Sequence, residues 1–407
     1  MQAERRCEQC GQLIPCGEQK CPACGEDGRF LWSIPRNTLL LFSFLVLIIL
    51  FLVTSFAVNA YRAKEREVAQ EWYVSGEREL TAGRPEAALE DFRSALVHSR
   101  NDRHIELRLA HTLAAAGHFP EARAYLLNLW EREPGNGTLN LELGRLAAHS
   151  GSVPQAVEYY HAAVYGQWDD DPAEHRRRAR LELAEFLLRI GEKAQAQAEL
   201  IALAADLPGD PALETQVGAL LLRAAEYEHA ARLFRQALRL RPNYTPALEG
   251  AGEASFAMGR YSDARRYLAR ASRQSALSTQ SQSHLEVATL IVESDPLAPR
   301  LSGQERALRT LQAFTQSMER LSGCAAARGV SMENGLQQSD LQKLHALASA
   351  LRPKVRVPKL ARDPDLVEKV TDLVFEIEKA TERECGEPQG LDLALLLLSR
   401  AQGGGNE

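Results

Sequence analysis

The sequence predicts an all-α chain: a solenoid of helix-turn-helix units closed by C-terminal helices, preceded by a small four-cysteine segment and one long apolar helix. Three observations predict it. Three columns of residues recur down the middle of the chain at one fixed spacing. Two C-x2-C pairs stand near its start. Between those pairs and the recurring columns lie twenty residues without a charge, Leu39 to Val58.

The columns fix the architecture. Gly76, Ala110, Gly144, Ala184, Gly218 and Gly252 form the first; Gly83, Gly117, Gly151, Gly191, Ala225 and Gly259 the second; Ala88, Ala122, Ala156, Ala196, Ala230 and Ala264 the third. In every column the steps are 34, 34, 40, 34 and 34 residues. A period of 34 is one helix-turn-helix unit. One such unit cannot bury its own apolar face, so the units must stack. Small residues in the first column suit a close helix crossing. Glycine in the second suits a left-handed helix end. Four residues beyond the third column stand Phe92, Leu126, Tyr160, Leu200, Phe234 and Leu268, one turn on and on the same buried face. Pro134, Pro208 and Pro242 end the second helices.

With these residues in view, the chain resembles the tetratricopeptide repeat family. Trp72, Gly76, Gly83, Ala88, Phe92 and Ala95 in the first unit match its signature, as do Gly218, Ala230, Phe234, Ala237 and Pro242 in the fifth. The resemblance covers about half the chain and implies a scaffold that holds a protein or peptide partner along its first helices. With the two cysteine pairs and the uncharged stretch, the expected organisation is a zinc ribbon over 1–36, a transmembrane helix over 37–60, and repeats within 61–278 (69–102, 103–136, 137–170, 177–210, 211–244 and 245–278). A helical capping region follows over 279–407. The six extra residues around Trp168 to Pro172 should bulge as a loop or offset the stack.

Cys7, Cys10, Cys21 and Cys24 offer the closed four-thiolate set of a structural zinc site and resemble a small zinc ribbon. Gly11 and Gly25 follow the second cysteine of each pair, as knuckle turns require. So short a stretch cannot build a core, so Zn2+ would supply its folding free energy. Cys16 could compete as a ligand. A redox dithiol or an unmetallated tail are the other readings; four thiolates leave no open position for catalytic water.

Twenty residues of helix span about 30 Å, the thickness of a bilayer core. Leu39 to Val58 therefore reads as a membrane span, against a cleaved signal peptide, whose apolar run is shorter. Flanking charge is close to a tie: Arg29 and Arg36 before, Arg62, Lys64 and Arg66 after. Cysteine use favours a cytoplasmic N-terminus, where thiolates stay reduced, and a periplasmic or equivalent extracytoplasmic repeat domain. Cys324 and Cys385 would be free to pair there; the alternative is two unrelated buried thiols.

Beyond the sixth repeat, helices are expected over 280–294, 304–327, 341–351, 364–383 and 391–398, with an extended basic connection from Arg352 to Pro358. They read as caps on the open end of the stack, against a separate partner-binding module.

The chain carries no Walker loop, G-x-S-x-G, H-E-x-x-H or dinucleotide fingerprint, so the sequence points away from an enzyme. With net charge -6, and five acids balancing five bases in the cysteine segment, it offers nucleic acid no strong basic surface. The first-helix face is read as Tyr73, Glu77, His104, His111, Arg145, Arg178, Glu185, Glu249 and Glu253. Tyr73 and Glu77 stand where some repeat proteins carry a lysine–asparagine clamp for a terminal carboxylate, so that clamp is absent. The run His175 to Arg180 could dock an acidic partner or be satisfied by Asp169 to Asp171. Two further readings stay open: an adaptor in bacterial envelope or lipopolysaccharide assembly, and a zinc or redox sensor. Self-assembly also stays open for such a stack.

Overall fold

The computed structural model describes residues 5–7, 9–15, 18–25, 36–330 and 339–403. Cys16, residues 331–338 of the expected polar loop, and residues 404–407 lie outside them. The chain divides into two units, Met1–Tyr125 and Leu126–Glu407.

In the first unit, β1 (Arg5–Arg6) and β2 (Leu13–Ile14) pair antiparallel, with Arg5 opposite Ile14. Then comes α1 (Arg36–Thr81), one unbroken helix of 46 residues. No glycine or proline interrupts residues 37–75, so nothing in the sequence stops it. It is about 69 Å long. Its first half is apolar on every side; its second half buries Ala69, and Tyr73 and Gly76 follow on the same face. That face meets α2 (Pro85–His98), where Tyr73 packs on Phe92 at a ring distance of 5.5 Å. The expected span and the expected first repeat are thus parts of one helix. Next is α3 (Arg103–Ala115), capped by Asp102, whose carboxylate accepts the His104 N–H at 3.0 Å. The following helix, α4, is Phe119–Arg132.

The second unit continues as antiparallel pairs: α5 (Gly137–His149) with α6 (Val153–Tyr165), α7 (Pro172–Ile190) with α8 (Lys193–Ala204), α9 (Pro211–Arg223) with α10 (Tyr227–Leu240), and α11 (Thr245–Ala257) with α12 (Tyr261–Ser272). The small first column is a packing requirement. A Cβ on Gly218 would lie 2.9 Å from the Phe234 ring, and one on Gly252 would lie 2.5 Å from Leu268. The second column ends the first helices left-handed, from φ +72° at Gly259 to +87° at Gly191. Ala225 holds the same place at φ +66° despite its Cβ.

The six-residue insertion does not bulge. It lengthens a helix: α7 has 19 residues where α5, α9 and α11 each have 13. Pro172 opens it and Asp171 caps it by accepting the Glu174 N–H. Trp168 anchors the approach. Its ring stacks on His175 at 4.7 Å, its indole N–H donates to the Ala163 carbonyl at 3.1 Å, and a Cβ on Gly137 would sit 2.3 Å from it.

Helix α13 (Thr279–Ser294) stacks on α12 as a further first helix. The rest is α14 (Gly303–Ala327), α15 (Asp340–Leu351), α16 (Val357–Leu360), α17 (Pro364–Cys385) and α18 (Gly390–Gly403). The expected extended connection from Arg352 to Pro358 does not form: Arg352 keeps helical backbone angles, residues 352–354 make a turn, Arg356 is extended, and Pro358 falls in the first turn of α16, where a proline is tolerated. Helix α14 pairs with α17, and α18 returns against α13. Val370, Val374 and Ile377 of α17, Leu321 of α14 and Leu395 of α18 share one apolar core with Tyr261 and Ala264 of α12. The C-terminal helices therefore cover the end of the stack, as a solenoid requires.

Candidate functional site

Two places concentrate chemistry. The first is the cysteine quartet. Gly11 donates its N–H to the Cys7 carbonyl at 2.9 Å, and Gly25 donates to Cys21 at 2.8 Å, both glycines with positive φ. These twin turns bring the four Sγ atoms within 4.8 Å of one another. Sγ of Cys7 is 3.5 Å from that of Cys24, and Sγ of Cys10 is 3.6 Å from that of Cys21. Four sulfurs at about 2.3 Å from a tetrahedral zinc stand roughly 3.8 Å apart, so the quartet fits such an ion. Cys7 and Cys21 are buried and Cys10 and Cys24 exposed. Backbone N–H groups from Cys10 and Gln9 lower the Cys7 thiol, and those of Ala23 and Cys24 lower Cys21 to about 7. The local backbone favours thiolates. Among the described residues no other group of three or more His, Cys, Asp or Glu side chains is placed to share a metal, so His104 and His111 belong to none.

The second place is the row of first helices, laced by ionic contacts from one unit to the next. Arg108 grips Glu77 through two hydrogen bonds, one of 2.7 Å from Nη2. Arg145 grips Glu182 at 2.7 and 2.5 Å and also reaches Glu142 at 2.5 Å. His284 Nδ1 lies 2.8 Å from Glu253 Oε2. These separations are 31, 37 and 31 residues. The middle one exceeds the others by the six inserted residues, so all three join the same two positions of adjacent units.

The repeat geometry has a counterpart in family models. Two models described as tetratricopeptide repeat match residues 107–172 and 221–283. The helix pairs in those two stretches match as tetratricopeptide repeats. No curated protein matches the chain. Among solved structures, a tetratricopeptide repeat protein from Parabacteroides merdae is 14% identical, covering 70% of this chain and 99% of its own at TM-score 0.39. PilW, a type IV pilus biogenesis factor, is 16% identical, covering 54% and 98% at 0.40. YrrB, described as having an unusual peptide-binding site, is 16% identical, covering 44% and 90% at 0.36.

Within the tetratricopeptide repeats, the structure sorts the nine residues expected along the first-helix face. Glu77, Arg145 and Glu253 belong to the inter-repeat contacts. Tyr73 is half-buried against Phe92. Glu249 accepts the Ser278 N–H at 3.1 Å; burial pushes its carboxyl up, but hydrogen bonds from Ser281 and Ser278 outweigh this and hold it low. His111 and Glu185 are half-buried. His104 and Arg178 are exposed, the latter 3.3 Å from Glu182. In the basic run, Arg177 pairs with Glu174, Arg178 with Glu182 and Arg180 with Glu199. These partners lie in α7 and α8. Sequence reasoning missed Arg108, Glu182 and His284. A search for opposite polarity at a spacing of 31 residues would have found two of the three.

In the C-terminal helices a disulfide joins Cys324 of α14 to Cys385 of α17, with Cα atoms 5.8 Å apart. Beside it, Arg320 donates to Thr381 Oγ1 at 2.8 Å and to the Gly386 carbonyl at 3.0 Å, and its Nε lies 3.3 Å from Glu378 Oε2. Burial pushes the Glu378 carboxyl up to about 7, with neighbouring Asp392 adding to the effect.

Proposed function

We propose that this protein is a membrane-anchored, non-catalytic scaffold whose repeats hold a protein or peptide segment against their first helices. The observation that carries the reading is α1. Its stretch from Leu40 is long and apolar enough to cross a bilayer, and its apolar side chains are exposed, Phe51 by 71% and Phe56 by 78%. A lone helix with such surface suits lipid rather than water. Because the same helix supplies the first helix of the first repeat, that repeat follows the apolar stretch with no flexible tether.

The partner contacts are assigned to the exposed His104 and Arg178, together with the half-buried His111 and Glu185. The residues bound into inter-repeat contacts, Glu77, Arg145 and Glu253, set the spacing of those helices. The N-terminal quartet is assigned to one structural zinc ion, which would fix the two knuckle turns. Among the described residues, four cysteines without a disulfide precede the span and a disulfide follows it, which supports a reducing compartment for the N-terminus and an oxidising one for the repeats.

Photocrosslinking groups placed at His104 and Arg178 of the full chain in its native membrane test the reading. Discrete protein adducts are expected from both, and not from Val97, an exposed second-helix position of α2. No adducts from either first-helix position would remove the proposal. One zinc per chain, lost with Cys21→Ser, is the expected metal content.

A further inference from the structure

The second helices carry a feature that partner capture on the first helices leaves unused. Arg235 and Arg239 of α10, Arg265, Arg266 and Arg270 of α12 and Arg273 at its C-cap line two adjoining grooves, with Arg270 common to both. No aspartate or glutamate lines either groove. Arg266 is partnered by Asp263 at 2.7 Å, and Arg265 lies 3.8 Å from Glu293 of α13. Arg235, Arg270 and Arg273 instead donate to the carbonyls of Ala231, Pro242 and Ala269, and none of the three is in an ion pair among the described residues. A backbone carbonyl takes a hydrogen bond but leaves the positive charge uncompensated. Between the arginines the floor is apolar: Leu238, Pro242, Tyr267 and Leu285. An apolar floor fenced by guanidinium groups, three of them bonded only to carbonyls, fits an amphipathic acidic helix, because arginine engages carboxylates in two-pronged geometry.

The chain itself presents such a helix. Asp365, Glu368, Asp372 and Glu376 of α17 are exposed, and their steps of three, four and four residues set them in one stripe. The stripe is about 17 Å long. It borders a groove floored by Leu351 and Leu373 and by Leu347 of α15, which is 55% exposed. Lys369 is the one cation lining that groove, and none of the four carboxylates is in an ion pair among the described residues. One surface is apolar with excess positive charge, and the other is apolar with excess negative charge.

We infer that the arginine grooves of α10 and α12 receive the acidic stripe of α17 from a second copy, so that the protein assembles head to tail. The two surfaces differ, so a pair of copies joined this way still has one groove and one stripe unoccupied, and the assembly extends unless its rotation closes a ring. The contact uses second helices, so the first helices stay available to another protein.

The test is sedimentation of the full chain in detergent, using Arg235→Glu with Arg270→Glu as one variant and Glu368→Lys with Asp372→Lys as the other. The unaltered chain should form species larger than either variant, and these should dissociate as salt rises from about 0.05 to about 0.5 M. Each variant should self-associate roughly a hundredfold more weakly, as expected for two reversed contacts. Mixed in equal amounts, the variants should form a one-to-one complex and nothing larger, since each keeps the surface the other lacks. That recovery also shows that both are folded. Association through α1 would be common to every sample and would not distinguish them. Identical size distributions for the unaltered chain and both variants would overturn the inference. So would an unassociated chain whose arginine grooves instead bind phosphatidylglycerol vesicles or a polyaspartate peptide.

Discussion

The ring of Phe234 occupies the space that a side chain on Gly218 would need, with the missing Cβ position 2.9 Å from the ring. Gly250, in the first helix of the next repeat, faces the same ring from a Cβ position 2.3 Å away. Phe234 is fully buried, so the ring cannot swing out to solvent. Gly218→Val should therefore overpack the site and destabilise the stack by about 1–3 kcal/mol. Thermal unfolding followed by circular dichroism checks this. Unchanged melting would mean that the crossing has room the structure does not show.

Arg145 and Glu182 should be coupled across the repeat boundary. Their side chains are 33% and 23% exposed, so solvent screens the pair and its coupling should be modest, roughly 0.5–1 kcal/mol. A double-mutant cycle with Arg145→Ala and Glu182→Ala in the full chain reads it directly. Additive losses would show that the two side chains act independently. Glu142, also bonded to Arg145, stays in place throughout the cycle.

Ala225 offers a stabilising change. It stands at φ +66°, where five counterparts in the same column are glycine. A left-handed non-glycine residue costs about 1–2 kcal/mol, against about 0.5–1 kcal/mol of extra chain entropy lost by glycine. Ala225→Gly should thus raise stability by about 1 kcal/mol or less. A lower melting temperature would contradict the strained turn.

These predictions also show where the sequence was legible. The period displayed every repeat because each column answers a local need: a crossing, a turn, or a buried face one helical turn on. The continuity of α1 was legible too, in the absence of glycine and proline from 37–75, but charge beyond Val58 suggested a boundary that the backbone does not observe. Pro172 suggested a loop at the insertion, although proline is equally at home in a first helical turn. The return of α18 to α13 joins residues more than a hundred apart in sequence and follows no period. Side-chain partners were least legible. Glu77, Arg145 and Glu253 look alike whether they face a groove or a neighbouring repeat, and only the position of the next helix decides.

Stability of the C-terminal helices should depend on pH through Glu378. Burial and Asp392 raise its carboxyl from 4.5 to about 7 in the folded chain. Between those values the folded state keeps a proton that the unfolded chain has released, so stability should fall as pH rises through that window. Glu378→Gln should flatten this slope and improve stability at pH 8 relative to pH 5 by an amount on the order of 2 kcal/mol. Denaturant titrations at the two pH values give the comparison. A variant that keeps the full slope would place the titrating group elsewhere.

In the proposed reading, one helix both crosses the membrane and begins the repeat stack. A nitroxide scan along α1 from Leu40 to Ser75, in the full chain reconstituted into lipid bilayers, tests it most directly. The account predicts oxygen-accessible, nickel-inaccessible labels through Val58. Nickel accessibility should then oscillate every 3.6 residues from Arg62 onward, with protected positions at Ala69 and Tyr73 and no break in helical phase. Nickel access throughout the apolar half would contradict the span. Loss of periodicity or a phase jump between Val58 and Ala69 would contradict the single helix and replace the rigid anchor with a hinge.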